Sequence, residues 1–292
     1  MSESIKTLIA NRVDSKDFKL PVFSPIALEI QGAINADADL SAIERIIHKD
    51  QALAAEILRL ANSAFFAGLS KQKTIQHALI RLGLNRVFGI VMMAAQKQAF
   101  QARNPYLNEL MSVLWKHAAA SAAGCRWVAM RCGYQDIADD AFLAGLLHDL
   151  GSLVVLKAND EILAAGSATE MTTEVMREVI DSLHTEYGHR VMKAWELPSE
   201  YADVARDHHS DANSSSLLLQ IVKLVDGACR KVGIGMVHEP DLALEGLPEV
   251  KQLGIKDVYL AELEIELEDI ASAIAGSGSV DSGGGHKAPF AA

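Results

Sequence analysis

The pattern of hydrophobic and polar positions predicts helices along nearly the whole chain. Residues 5–13 place their apolar side chains at three- and four-residue steps, which is the spacing of one helix face. Residues 261–268 alternate glutamate with leucine or isoleucine and so imitate a strand. The apolar residues between Leu260 and Ile274 nevertheless follow the helical spacing, and we interpret this stretch as a helix with an acidic outer face. Since no segment favours a strand, the sequence predicts an all-α protein.

Polar and small residues between the apolar stretches indicate where helices begin and end. Asp50 and Thr74 each precede a helical run and can accept a hydrogen bond from its free N–H groups, as an N-cap does. Asn85 is predicted to cap a long apolar helix over Arg86–Ala102. Asn104-Pro105 is a turn dipeptide between two helices, and we place the boundary between two helical lobes there.

Composition shifts divide the chain further. Prolines, glycines and acids become frequent after Gly233, and the last residues are rich in glycine and serine. Such a tail has too little apolar surface to order itself. The predicted organisation is an N-terminal helical lobe at 1–104, a second helical lobe at 105–235, a connection with an acidic helix at 236–275, and a tail at 276–292.

Composition and charge exclude several classes of protein. Half of the 292 residues are hydrophobic, but no apolar run approaches the roughly 20 residues of a membrane span. Residues 1–20 lack the apolar core of a signal peptide, and the three cysteines lack paired metal-type spacing, so we expect a cytoplasmic protein with no membrane partner. The 27 basic residues against 38 acidic ones give a net charge of −11, which argues against DNA binding.

The stretch Ala141–Leu153, AFLAGLLHDLGSL, holds the most informative polar residues. It predicts a buried helix that carries His148 and Asp149 and ends at Gly151. Burying an imidazole and a carboxylate is costly unless a partner compensates them. A divalent metal ion would do so, since both groups are good ligands. The alternative interpretation is an exposed His-Asp pair at the end of a helix.

Further metal-type side chains lie on other predicted helices. Each has a structural alternative, because His117 can be a packed core histidine, the pair His208-His209 can stabilise the negative end of a helix, and Asp226 can be a satisfied buried acid. Together with His184 and the His-Asp pair, they place metal-type ligands on five helices in one half of the chain. This concentration favours a common site.

The order H…HD…H…HH…D resembles that of the HD-type metal-dependent phosphohydrolase superfamily, and the stretch 20–232 is similar to an HDOD domain, a bacterial signalling relative of the HD and HD-GYP families. The resemblance implies an all-α fold with two helical lobes and a role in signal transduction. The motifs that carry it are LPVFSP (20–25), IIHKDQALAAEILRLANSAFF (46–66), ALIRLGL (78–84), AFLAGLLHDLG (141–151), HTEYG (184–188), WELP (195–198) and the pair His208-His209.

The resemblance also implies a set of metal ligands. The mixed nitrogen and oxygen donors suit Fe, Mn, Zn, Ni or Co in a mononuclear or dinuclear site, and they do not choose among these metals. The four positions that match a mononuclear HD site are His117, His148, Asp149 and Asp226, and the positions that match the extra ligands of a dinuclear site are His184, His208 and His209.

The chain departs from the catalytic relatives in the groups that would hold a phosphate. Ser152 stands where catalytic HD-GYP proteins have a lysine, and the GYP signature is absent. The basic residues near ligands in sequence are Arg190 and Arg206, whose directions the sequence does not determine.

Three functions therefore stay open. The first is a regulatory module that binds a signalling partner protein or a second-messenger nucleotide. The second is a metal-dependent phosphohydrolase or phosphodiesterase, in which Asp149 or a histidine ligand manages protons. The third is a metal-free helical assembly surface. The sequence does not determine the oligomeric state.

Overall fold

The computed structural model describes residues 4–18, 25–62, 71–166, 171–210 and 215–276, and within these ranges every regular element is a helix. The prediction of an all-α fold is therefore confirmed. Residues 20–24 of the LPVFSP motif, residues 63–66 at the end of the IIHKDQALAAEILRLANSAFF motif and the tail beyond 276 lie outside the described residues. The α-helices are α1 Ile5–Val13, α2 Pro25–Asn35, α3 Leu40–Ile47, α4 Gln51–Ala61, α5 Ile75–Leu82, α6 Leu84–Ala99, α7 Pro105–Arg131, α8 Ala138–Leu147, α9 Leu150–Ala164, α10 Thr173–Ala194, α11 Ser199–Asp207, α12 Leu217–Lys231, α13 Pro248–Leu253 and α14 Asp257–Gly276.

Most helix starts follow from the local sequence. Asp50 accepts a hydrogen bond from Leu53 N at 3.0 Å and caps α4, and Thr74 caps α5 in the same way. The predicted cap at Asn85 is wrong, because α6 begins at Leu84 directly after Gly83. Gly83 has a φ of +82°, a conformation that suits glycine, and it lets the chain turn from α5 into α6 without a capping side chain.

Helix α7 is the central element of the second half of the chain. It packs against α8, α12 and α14, and small residues along it allow close neighbours. A Cβ atom on Gly145 of α8 would lie 2.6 Å from the backbone oxygen of Ser121, so these two helices approach nearly at backbone contact. Helix α10 packs along α9 and against α11 and so closes the group of helices that surrounds the site.

The two halves of the chain are joined at several places. Helix α6 packs on α8, and α1 packs on α9, where Arg12 forms an ion pair with Glu161 at 2.6 Å. The Asp160 carboxylate of α9 accepts hydrogen bonds from the backbone N–H groups of Arg103 and Asn104, at 3.1 and 3.0 Å. These bonds tie α9 to the segment between the predicted lobes. The lobe boundary at residue 104 stays a prediction.

The buried helix predicted over Ala141–Leu153 is interrupted where its polar residues lie. Helix α8 ends at Leu147 and α9 begins at Leu150, with His148 and Asp149 in the junction. Gly151 does not end a helix but lies in the first turn of α9. A Cβ atom there would lie 1.8 Å from His184 O and 2.6 Å from Gly188 N, so glycine is needed for the close contact between α9 and α10.

The stretch that contains these helices is strongly apolar. Among the described residues, the stretch Gln135–Ala164 is long and apolar enough, by length and composition alone, to cross a membrane. Of its most apolar window, 89% is buried inside the protein, as expected for a helix of the core.

Candidate metal centre

The structure brings the seven predicted ligands to one place from five parts of the fold. Their ligand atoms form two groups, in each of which all the atoms lie within 4.8 Å of one another. One group consists of Asp149, His184, His208 and His209, and the other of His117, His148 and Asp226. They come from α7, the α8–α9 junction, α10, the end of α11 and α12.

Asp149 lies between the two groups. Its Oδ1 is 3.5 Å from His184 Nε2 and 3.4 Å from His208 Nε2. Its Oδ2 is 3.6 Å from His117 Nε2 and 3.9 Å from His148 Nε2. A carboxylate that directs one oxygen at each group has the position of a ligand shared by two metal ions.

Backbone carbonyl groups orient four of the histidines. Each of these rings places its Nδ1 within hydrogen-bond distance of a carbonyl oxygen, so we assign a proton to Nδ1, and Nε2 is the atom that faces the site. Metal-binding histidines are held in this way in other proteins. The pairs are His117 with Ile234 O at 2.9 Å, His148 with Gly145 O at 2.8 Å, His184 with Ile180 O at 2.9 Å, and His208 with Ala205 O at 3.0 Å.

The inward-facing nitrogens require a positive charge between them. The Nε2 atoms of His117 and His148 are 3.2 Å apart, and those of His184 and His208 are 3.3 Å apart. Two lone pairs at such distances repel each other and cannot form a hydrogen bond unless one nitrogen carries a second proton. A cation in each group would satisfy all of them. The donor set therefore fits a divalent first-row metal, and the chemistry of the donors does not choose which one.

Burial and mutual charge keep most of the donors in the form that binds a metal. Burial lowers the pKa of His148 to about 4 and also lowers the pKa of His208, so both imidazoles are neutral at pH 7. Burial opposes the charge of Asp149 and Asp226, but the surrounding imidazoles outweigh it. They hold the pKa of Asp149 well below its ordinary value and also lower that of Asp226. Both carboxylates are therefore ionised.

His117 is the exception among these imidazoles. Burial disfavours its protonation, but the Cys229 sulfur and the Asp149 and Asp226 carboxylates outweigh burial and raise the pKa of His117 to about 10. A proton on His117 therefore occupies part of the site in the metal-free protein. A metal ion has to displace this proton in order to bind.

A cavity of about 80 Å³ opens onto the two groups. The segment Ile234–Val237 covers it from one side, and α10 and α12 form other walls. Most of the donor side chains are buried, whereas His209 is exposed at the rim. The polar residues that line the cavity are His117, Asp149, Ser152, Asp181, His184, His209, Asp226 and Arg230.

The cation in this cavity is Arg230, which sequence reasoning missed. It lies one helical turn after Asp226 on α12, and this four-residue spacing is the signal that could have identified it. The two arginines noted from the sequence face elsewhere. Arg190 forms an ion pair with Asp14 at 2.7 Å, and Arg206 binds Asp207 at 2.7 Å on the surface.

Comparison with known proteins identifies the family. The model of the HDOD domain matches residues 20–211 of the 292 residues. The chain belongs to the HDOD domain family. This confirms the resemblance that its motifs indicate.

Solved structures share the fold of this HDOD protein. An HDOD domain protein of unknown function from Geobacter sulfurreducens is 24% identical, with a TM-score of 0.71 over 92% of this chain and 96% of that one. A protein from Shewanella amazonensis SB2B, named as a candidate metal-dependent phosphohydrolase, is 22% identical, with a TM-score of 0.70 over 92% and 97%. At these identities the likeness establishes the fold.

A relative known from its sequence is a much longer protein. An uncharacterised protein of Treponema pallidum (strain Nichols) is 29% identical over 208 residues, which are 69% of this chain. The match spans 39% of the length of that relative.

Proposed function

We propose that this HDOD protein is a signal-transduction domain whose second half is held together by a dinuclear centre of a divalent first-row metal. The observation that carries the proposal is the set of facing Nε2 atoms with the Asp149 carboxylate between the two groups. The ligands His117, His148 and Asp226 would hold one ion and His184, His208 and His209 the other, with Asp149 as the bridge.

A metal centre of this kind would control the stability of the surrounding helices. Its ligands come from five parts of the fold, so occupancy would draw them together. A ligand that binds only the folded protein stabilises it by about 2.7 kcal/mol at a concentration of 100 times its Kd. Metal occupancy would thereby set how firmly the helices present a surface to a signalling partner protein or a second-messenger nucleotide.

The burial of the centre favours regulation over hydrolysis of a nucleotide. His148, His184 and His208 are each no more than 3% exposed. The cavity that opens onto them has a volume of about 80 Å³ and is covered on one side by the segment Ile234–Val237.

Hydrolysis of a small phosphoester is the second candidate function. The observation that favours it is that Arg230 lines the cavity. A bound divalent metal supplies a water molecule of lowered pKa and a Lewis acid for the phosphate. Arg230 would bind the phosphate oxygens from the wall of the cavity. Because both oxygens of Asp149 face imidazoles, we assign this residue to bridging rather than to the proton transfer that the sequence suggested.

Elemental analysis tests the metal centre. Protein purified without chelators, then loaded with Mn, Fe, Zn or Co and desalted, should hold about two equivalents of metal, as seven shared ligands imply. The double variant His148→Ala, Asp149→Ala should lose both ions. His189→Ala is the matched control, because His189 lies on α10 but belongs to neither ligand group, and it should keep the metal. A wild-type protein that binds none of these metals would refute the proposal.

Turnover assays separate the two candidate functions. The metal-loaded protein is incubated with a generic phosphodiester, a phosphomonoester and a cyclic dinucleotide. Hydrolysis that disappears in the His148→Ala variant would support the enzyme. A fully loaded protein that hydrolyses none of them supports the regulatory function. Activity that persists in His148→Ala would belong to another site or to a contaminant.

A further inference from the structure

We propose that a cavity between the two halves of the chain binds a small organic cation, an amine or amidine that carries an aromatic ring. The volume of this second cavity is about 110 Å³. Helices α2 and α6 of the first half line it, together with α8, α11 and the residues just before α11 from the second half. It shares no lining residue with the cavity at the metal centre, so the inference goes beyond the proposed function and does not depend on it.

The interior of the second cavity is apolar and can cover a ring. Phe88, Leu143 and Leu147 line it, and each is at most 9% exposed. A buried apolar cavity of about 150 Å³ is known to hold a benzene molecule, and the second cavity has a volume of the same order. Asn35 and Asn85 are exposed at its rim, so the rest of a larger molecule can extend into solvent.

Asp140 supplies a negative charge that has no cationic partner. It lies in the first turn of α8 and lines the second cavity. The neighbouring Asp139 binds two arginines, since its Oδ1 lies 3.3 Å from Arg86 Nε and 3.2 Å from Arg126 Nε. Asp140 forms no ion pair with any residue that the structure describes; its one hydrogen bond comes from a tyrosine. The positive end of the α8 dipole offsets part of the cost of a carboxylate beside apolar side chains, and a bound cation would offset the rest.

Tyr201 holds the Asp140 carboxylate at the wall of the second cavity. Its hydroxyl donates to Asp140 Oδ1 at 2.8 Å, and the residue is 8% exposed. Burial and the Asp140 charge raise the pKa of Tyr201, so the hydroxyl keeps its proton and stays a donor. The other oxygen, Oδ2, accepts no hydrogen bond within the described part of the chain. An ammonium or amidinium group would donate a charge-assisted hydrogen bond to it.

Three carboxamide side chains add further acceptors for a ligand that is rich in N–H groups. Gln31 and Asn35 lie on α2 and Asn85 lies on α6, and all three line the second cavity. A carboxamide oxygen can accept a hydrogen bond from the N–H groups that do not face Asp140. The cavity therefore combines an apolar interior, one oriented carboxylate and neutral acceptors, which suits an aromatic amine or amidine.

Calorimetry and nuclear magnetic resonance of the methionine methyl groups in the full-length, Zn-loaded protein test the second cavity. Benzamidine, benzamide and benzoate have nearly the same shape but are positive, neutral and negative. Benzamidine should bind at least about 10-fold more tightly than benzamide, because hydrogen bonds between charged groups are the stronger ones, and benzoate should bind most weakly. The methyl signal of Met92, which lines the cavity, should shift with benzamidine, whereas that of Met130, exposed on α7, should not.

Three variants separate the charge from the shape of the cavity. Asp140→Asn keeps the shape and should weaken benzamidine binding about 10- to 100-fold, with little effect on benzamide. Tyr201→Phe releases the carboxylate from its position and should weaken benzamidine binding about 2- to 10-fold. Asp203→Asn is the matched control, because Asp203 also lies on α11 but pairs with Arg206 at 3.0 Å and does not line the cavity. It should leave the affinity unchanged.

Asn85→Trp tests the cavity without changing its charge. Because Asn85 is exposed at the rim, we expect the variant to fold, and the larger side chain should prevent the entry of benzamidine. If Asp140→Asn does not fold, unchanged benzamidine affinity in Asn85→Trp overturns the inference.

The remaining outcomes are also decisive. A protein that does not bind benzamidine, that binds benzamide equally well, or that keeps its benzamidine affinity in Asp140→Asn would refute the proposed site. Binding that leaves the Met92 signal unshifted would place the cation elsewhere, for example at the carboxylates of the metal centre, and would refute it as well. A protein that holds no metal but shifts Met92 with benzamidine would refute the proposed function and support this inference.

Discussion

Replacing Gly151 with alanine is expected to push α9 away from α10 and to disturb the metal centre. The new Cβ atom would lie 1.8 Å from His184 O, whereas real Cβ contacts essentially never fall below 3.0 Å. The two helices would have to separate by about 1.2 Å, and overpacking of this kind typically costs about 1–3 kcal/mol. Because the obstructing atoms belong to backbone, we expect a loss near 3 kcal/mol in the free energy of unfolding.

The same displacement should weaken metal binding. His184 carries both the obstructing carbonyl and a predicted ligand nitrogen, which lies 3.5 Å from Asp149 Oδ1. A separation of the two helices changes this distance directly, and we expect metal affinity to fall about 10- to 100-fold, as it does when groups that orient a ligand are changed. Urea unfolding followed by circular dichroism gives the stability of the metal-free protein, and titration with Zn or Mn gives the affinity.

Gly32→Ala is the matched control. Gly32 lies in α2, and a Cβ atom there would meet nothing within 4 Å. Alanine in the interior of a helix should stabilise the protein by about 0.5–1 kcal/mol relative to glycine. If Gly151→Ala were as stable as Gly32→Ala and held metal as tightly as the wild type, the proposed close contact between α9 and α10 would be wrong.

Three further outcomes are expected. With a pKa of about 10, His117 is protonated at pH 7 in the metal-free protein, so metal binding should release a proton. Metal affinity should therefore increase as the pH rises towards 10. Calorimetry in buffers of different ionisation enthalpy checks this, and equal binding heats in those buffers would contradict it. Asp160→Asn should lower the free energy of unfolding by about 1–3 kcal/mol in urea, because one of two backbone donors loses its acceptor, without changing metal content. Tyr201→Phe removes a 2.8 Å hydrogen bond to Asp140 and should cost about 1 kcal/mol by thermal unfolding; an unchanged melting temperature would show that this bond contributes nothing.

Local interactions explain why so much of the fold was predictable. Helix periodicity and capping depend on residues within one turn of each other, so Asp50 and Thr74 indicated helix starts that the structure confirms. The predicted cap at Asn85 was wrong because Gly83, two residues earlier, already provides the turn into α6. Ligand types were also readable, since imidazoles and carboxylates in apolar helices are costly to bury without a partner.

The amino-acid sequence by itself determined the helical fold, the HDOD motifs and the identities of seven side chains able to bind a metal. Only the tertiary structure decided that Asp149 lies between two groups of ligands, that Gly151 is a point of helix contact rather than a helix end, and that Arg230 rather than Arg190 faces the cavity. The physical reason is that these features depend on distances between helices far apart in the chain. Such distances are set by how the helices pack, and no local pattern of residues records them.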